Sequence, residues 1–94
     1  IAKSLGIFPG GFGTLDEMFE ILTLMQTDKL AKQIQIILYG SEYWAGLIDW
    51  LRARVLSANN ISQDDVDSIH VVDEPEQVRD IVVAYHEKAI SDNK

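Results

Sequence analysis

Apolar runs of two different periods alternate along these 94 residues, and that alternation is the strongest constraint on the fold. Leu5 to Phe8 is a short continuous apolar run bounded by glycine and proline, as expected of a strand buried on both faces. Leu15, Met18, Phe19, Leu22 and Met25 then recur at helical spacing and predict a helix over Thr14 to Thr27. Ile21 and Leu24 widen its apolar stripe enough to ask for a second contact surface. After a polar connector, Asp28 to Gln33, a second β-rich run at Ile34, Ile36, Ile37 and Leu38 ends at Tyr39-Gly40. Ser41 is positioned to cap a second helix that carries Trp44, Leu47, Ile48, Leu51 and Val55 on one face. Ala58-Asn59-Asn60 suits a turn, Ile69 to Val72 a third strand, and Asp73-Glu74-Pro75-Glu76 the start of a last helix.

The order is βαβαβα with short connectors, which right-handed crossovers convert into a parallel sheet. The expected class is α/β: a Rossmann-like parallel sheet with flanking helices, incomplete at three strands. The chain opens at Ile1, without Met, and runs almost at once into a strand. Residues 1–94 therefore read as the C-terminal half of a single nucleotide-binding domain in a longer polypeptide.

Charge and composition narrow the function classes. A formal net charge of −7 with eight Lys and Arg residues argues against a nucleic-acid backbone as main partner. No apolar run approaches the roughly 20 residues that a membrane span needs, and no signal-peptide pattern opens the chain. The absence of cysteine removes disulfides and thiolate metal sites and suits a reducing, cytoplasmic setting. His70 and His86 stand apart without clustered acids, so no metal site is expected. Nothing marks Lys29 or Lys32 as a Schiff-base lysine, and no cofactor is called for.

The segment Phe8 to Glu17, FPGGFGTLDE, concentrates three glycines between the first strand and the first helix. Ligands of open α/β sheets bind at that edge, where glycines reach positive φ and helix amides lack partners. Without a following Lys the loop is not a Walker motif, nor does it match the dinucleotide fingerprint. From spacing alone two readings stay open. Thr14-Leu15-Asp16-Glu17 fits a capping box, with Glu17 reaching back to the Thr14 amide and the glycines only turning the chain. Alternatively, the glycine amides and the helix dipole cradle a phosphate.

The run Pro9-Gly10-Gly11-Phe12-Gly13-Thr14-Leu15-Asp16-Glu17 resembles the P-G-G-x-G-T-x-x-E signature of the Lonely Guy phosphoribohydrolases, long labelled lysine decarboxylases. Phe19 to Gln26, Ile37 to Asp49 and His70 to Asp73 are similar to later segments of that family. The resemblance implies a Rossmann-like fold in homodimers or higher homo-oligomers. It also implies hydrolysis of the N-glycosidic bond of nucleoside 5′-monophosphates, cytokinin riboside monophosphates or AMP, to free base and ribose 5-phosphate. Carried over residue by residue, it makes Gly10, Gly11, Phe12, Gly13 and Thr14 the phosphate- and substrate-binding loop and Glu17 the catalytic carboxylate.

The family also uses an arginine from an upstream Arg-Lys segment and an earlier glycine-rich stretch, neither of which is among these residues. Arg52, Arg54 and Arg79 match no family position and read as solvated helix faces, so this stretch alone is expected to be inactive. Tyr43, Trp44 and Trp50 read as core or interface, Tyr43 and Trp44 being near enough to a strand end to line a pocket. Two other functions fit the same residues: a non-catalytic nucleotide carrier, and a dimerisation module built on the wide first helix.

Overall fold

The computed structural model describes residues 3–28 and 34–92. In chain order the elements are β1 (Lys3–Ile7), α1 (Phe12–Thr27), β2 (Ile34–Tyr39), α2 (Ser41–Trp50), a π-helical segment (Leu51–Leu56), α3 (Gln63–Asp67), β3 (Ile69–Val72) and α4 (Pro75–Asp92). The expected strands and helices are all present. The connector beyond Asp28, with Lys29 and Lys32, lies outside the described residues, as do the side chains of Tyr85, His86 and Ala89.

The strands form one parallel sheet in the order β1-β2-β3, an α/β, Rossmann-like arrangement. Leu5 pairs with Ile36, Ile7 with Leu38, and Leu38 in turn with Val71, so these side chains share one sheet face. Both crossovers advance in the same direction across the sheet, and right-handedness then brings α1 and α2 to that same face. Met18 and Met25 of α1, Trp44 and Ile48 of α2, and Leu51 pack there against Ile36 and Leu38. Each fully buried side chain of this kind contributes roughly 1.5–3 kcal/mol of transfer free energy. Among the described residues, the buried Trp44 indole N–H has no hydrogen-bond partner.

The opposite sheet face carries the buried Gln35, Ile37 and Val72, with His70 half-buried. Gln35, the buried amide side chain among the described residues, has its Oε1 2.7 Å from His70 Nε2.

Several local expectations change in the assembled fold. Among the described strands, β2 has a neighbour on each side and is the one buried on both faces. Ser4, Leu5 and Gly6 of β1 are exposed at the sheet edge. On α1, Ile21 turns towards the core while Phe19 and Leu24 face outward. The stripe on α2 holds throughout, and its continuation winds as a π-helix that keeps Leu51 and Val55 against the core. Asn59 takes the left-handed conformation at φ 62°, as the Ala58–Asn60 turn requires. Helix α3 is an addition, started by a capping box in which Ser62 Oγ accepts the Asp65 amide and Asp65 accepts the Ser62 amide.

Candidate active site

The loop between β1 and α1 runs along the carboxyl edge of the sheet, and the second βα unit holds it from the side. Phe8 stacks on Tyr39 with ring centroids 4.6 Å apart and an interplanar angle of 7°. The Tyr43 hydroxyl, on the first turn of α2, donates to the Gly10 carbonyl. Gly40, between β2 and α2, has φ 100°, and a Cβ there would meet the Pro9 ring at 3.5 Å.

Within the loop the three glycines serve different ends. At Gly10 an added Cβ would collide with Thr14 Oγ1 and Cβ, so glycine lets the chain pass over the Thr14 side chain. At Gly11 and Gly13 an added Cβ would meet nothing within 4 Å. Gly11 has φ −97°, and among the described residues Gly40 alone of the glycines has positive φ. Positive φ, expected from the sequence for this loop, is therefore not what its glycines provide. Nothing in the fold demands glycine at 11 or 13; both leave open space over the first turn of α1.

Helix α1 begins at Phe12, two residues earlier than its apolar periodicity suggests, with Gly11 as N-cap and no side chain capping it. That shift removes the expected capping box. Thr14 becomes the third helical residue, its hydroxyl turned against Gly10, and Glu17 falls in the second turn. Glu17 is exposed and lines a cavity of about 310 Å³ together with Gly6, Phe8, Pro9, Thr14 and Ile21. Thus Thr14 and Glu17 share one opening beside the loop, and the Phe12 ring is 91% exposed.

A comparison with protein-family models matches residues 1–82 to the family described as possible lysine decarboxylase. The chain belongs to this family, the Lonely Guy-like one. No curated protein matches the chain.

In this Lonely Guy-like chain the neighbouring helix terminus is already filled. The sequence suggests Ser41 as the cap of α2, but left-handed Gly40 takes the N-cap position and draws Ser41 into the helix. The cap comes from the residue that follows β3 instead: the Ser41 backbone N–H donates to Asp73 Oδ1 at 2.8 Å. Hydrogen bonds from the Ser41 backbone N–H and then its side chain hold the Asp73 carboxyl below the ordinary aspartate value. Local sequence reasoning missed Asp73 as the cap of α2, since it reads there only as the acidic lead-in to α4. The Gln77 side chain anchors it by accepting the backbone N–H groups of Asp73 and Glu74 at 2.8 and 2.9 Å.

The remaining candidates lie elsewhere. Trp44 is core, Trp50 is more than half exposed, and neither lines the opening beside Glu17. Tyr43 touches the loop rather than the cavity. Arg52, Arg54 and Arg79 are exposed on their helices. His70 is on the far sheet face, its pKa lowered by burial against a smaller opposing pull from Asp67. Among the described residues no three His, Asp or Glu side chains gather as a metal site, and no helix is long and apolar enough to cross a membrane. A separate apolar cavity of about 260 Å³ lies between α1, the π segment and α3. Its one carboxylate, Asp65, is engaged in capping α3.

Proposed function

We propose that this protein hydrolyses the N-glycosidic bond of nucleoside 5′-monophosphates, AMP or a cytokinin riboside monophosphate, to free base and ribose 5-phosphate. In this proposal Gly11, Phe12, Gly13 and Thr14 grip the phosphate at the start of α1, Gly10 shapes the loop, and Glu17 is the catalytic carboxylate. The observation that carries it is the pair Gly11 and Gly13. Neither packing nor backbone conformation needs glycine there, whereas a ligand approaching the first-turn amides does. Two further facts support it. Asp73 occupies the N-terminus of α2, which leaves that of α1 for an external anion. Glu17, released from capping, faces the same opening as Thr14.

Cleavage of the glycosidic bond builds positive charge on the ribose ring. A carboxylate held on a helix beside the anomeric carbon stabilises that charge and orients the attacking water. The upstream arginine implied by the family is not among these residues, so the activity is proposed for the complete protein. The exposed Phe19, Leu24 and Trp50 provide apolar surface for the homo-oligomer that the proposal includes.

The test is release of free base from AMP and its isopentenyl analogue. Glu17→Gln is expected to lower turnover by at least about a hundredfold, within the range of general acid–base contributions, while AMP binding persists. Near-normal turnover by the variant removes Glu17 from its role. Nucleotide binding without turnover by the unaltered protein replaces hydrolysis with a carrier function.

A further inference from the structure

We propose that Tyr43 is a positioning residue for the glycine loop, acting through the Gly10 carbonyl; the proposal rests on the phosphate site put forward above. The Tyr43 hydroxyl donates to Gly10 O across 33 positions of sequence. In a planar trans peptide the C=O and the following N–H point to opposite sides. Holding the Gly10 carbonyl towards α2 therefore turns the Gly11 N–H away from α2 and fixes its direction before any ligand arrives.

The tether has a rigid base. Tyr43 sets its ring edge-on to Trp44, centroids 4.8 Å apart at 77°, and Trp44 is 1% exposed in the core. The turn beneath Tyr43 is fixed by the Asp73 cap and by the Gly40 N–H donating to the Val72 carbonyl at 2.8 Å. On its other side Gly10 passes against Thr14 Oγ1, closer than any side chain there would allow. Gly10 is thus pinned between a helix it precedes and a helix it meets only through the fold. A loop of glycines otherwise loses much conformational freedom on binding, and ordering it in advance keeps that cost out of the affinity.

Tyr43→Phe removes the hydroxyl and keeps the ring, so the contact with Trp44 survives. The experiment follows backbone amide shifts of Gly11 to Thr14 in the complete protein during titration with inorganic phosphate and with AMP, adenosine serving as the ligand without phosphate. The expected result is a three- to tenfold weaker response of the variant to phosphate and AMP, about the value of one neutral hydrogen bond. Adenosine binding should be unchanged, the melting temperature should fall by no more than the loss of one hydrogen bond allows, and KM for AMP should rise with kcat little altered. Equal phosphate affinity in the two proteins, or equal weakening for adenosine, overturns the positioning role and leaves the proposed function standing. If the unaltered protein shows no response of these amides to phosphate or AMP, the phosphate site itself falls, and this proposal with it.

Discussion

The Asp73 carboxylate accepts the backbone N–H of Ser41 at 2.8 Å, so the residue that follows β3 caps a helix that starts 32 positions earlier. One side chain thereby joins β3, α2 and the carboxyl edge of the sheet, and fills the positive end of the α2 dipole with a charge of the protein's own.

Removing that cap should loosen the same edge. Asp73→Ala is expected to lower stability at pH 7, read from the midpoint of a urea melt. The folded carboxyl sits below its ordinary value of 3.8. Its contribution is therefore complete above that value and fades as pH falls through the lower, folded one. The gap between the two proteins should shrink in melts taken below pH 3.8. A gap that stays constant with pH would mean that the carboxylate charge is not what holds α2.

The glycines of the loop should separate by substitution. Gly10→Ala forces a Cβ onto Thr14 Oγ1 and is expected to cost about 1–3 kcal/mol, the usual range for overpacking. Gly13→Ala meets open space in the first turn of α1 and should gain up to about 1 kcal/mol from helix propensity. The same Gly13→Ala change should weaken phosphate binding. A variant that is more stable and binds as well as the parent would take Gly13 out of the cradle.

Protonation of His70 should oppose folding. Burial holds its folded pKa below 6.5, so the unfolded chain binds the proton more readily. Stability is then full above about 6.5 and declines as pH falls through that value towards the folded one. Chemical denaturation between pH 7.5 and pH 5 should show the decline, and His70→Gln should flatten it. An unchanged slope in the variant would assign the effect to other groups.

The fold class was legible from periodicity, because short continuous apolar runs and helical stripes report burial within a few residues of themselves. Leu5 to Ile7, Ile34 to Tyr39 and Ile69 to Val72 became strands, and the stripe from Trp44 to Val55 buries as its spacing requires. The motif from Pro9 to Glu17 lies within the 1–82 stretch that matches the family, and it was legible in the sequence alone. Helix α3 was also written in the chain, as Ser62 three residues before Asp65, but five residues are too few for a periodic signal.

Only the tertiary structure decided that β2 is the central one of the described strands, since that depends on how many neighbours a strand finds. It also decided that α1 starts at Phe12, which frees Glu17 from a cap that its spacing from Thr14 had suggested. The partners of Ser41 and Gly10 lie 32 and 33 positions along the chain, at Asp73 and Tyr43. Local patterns carry the conformational preferences of neighbouring residues. Contacts at such distances exist because parallel pairing brings the carboxyl ends of successive strands, and the helix starts beside them, to a single edge.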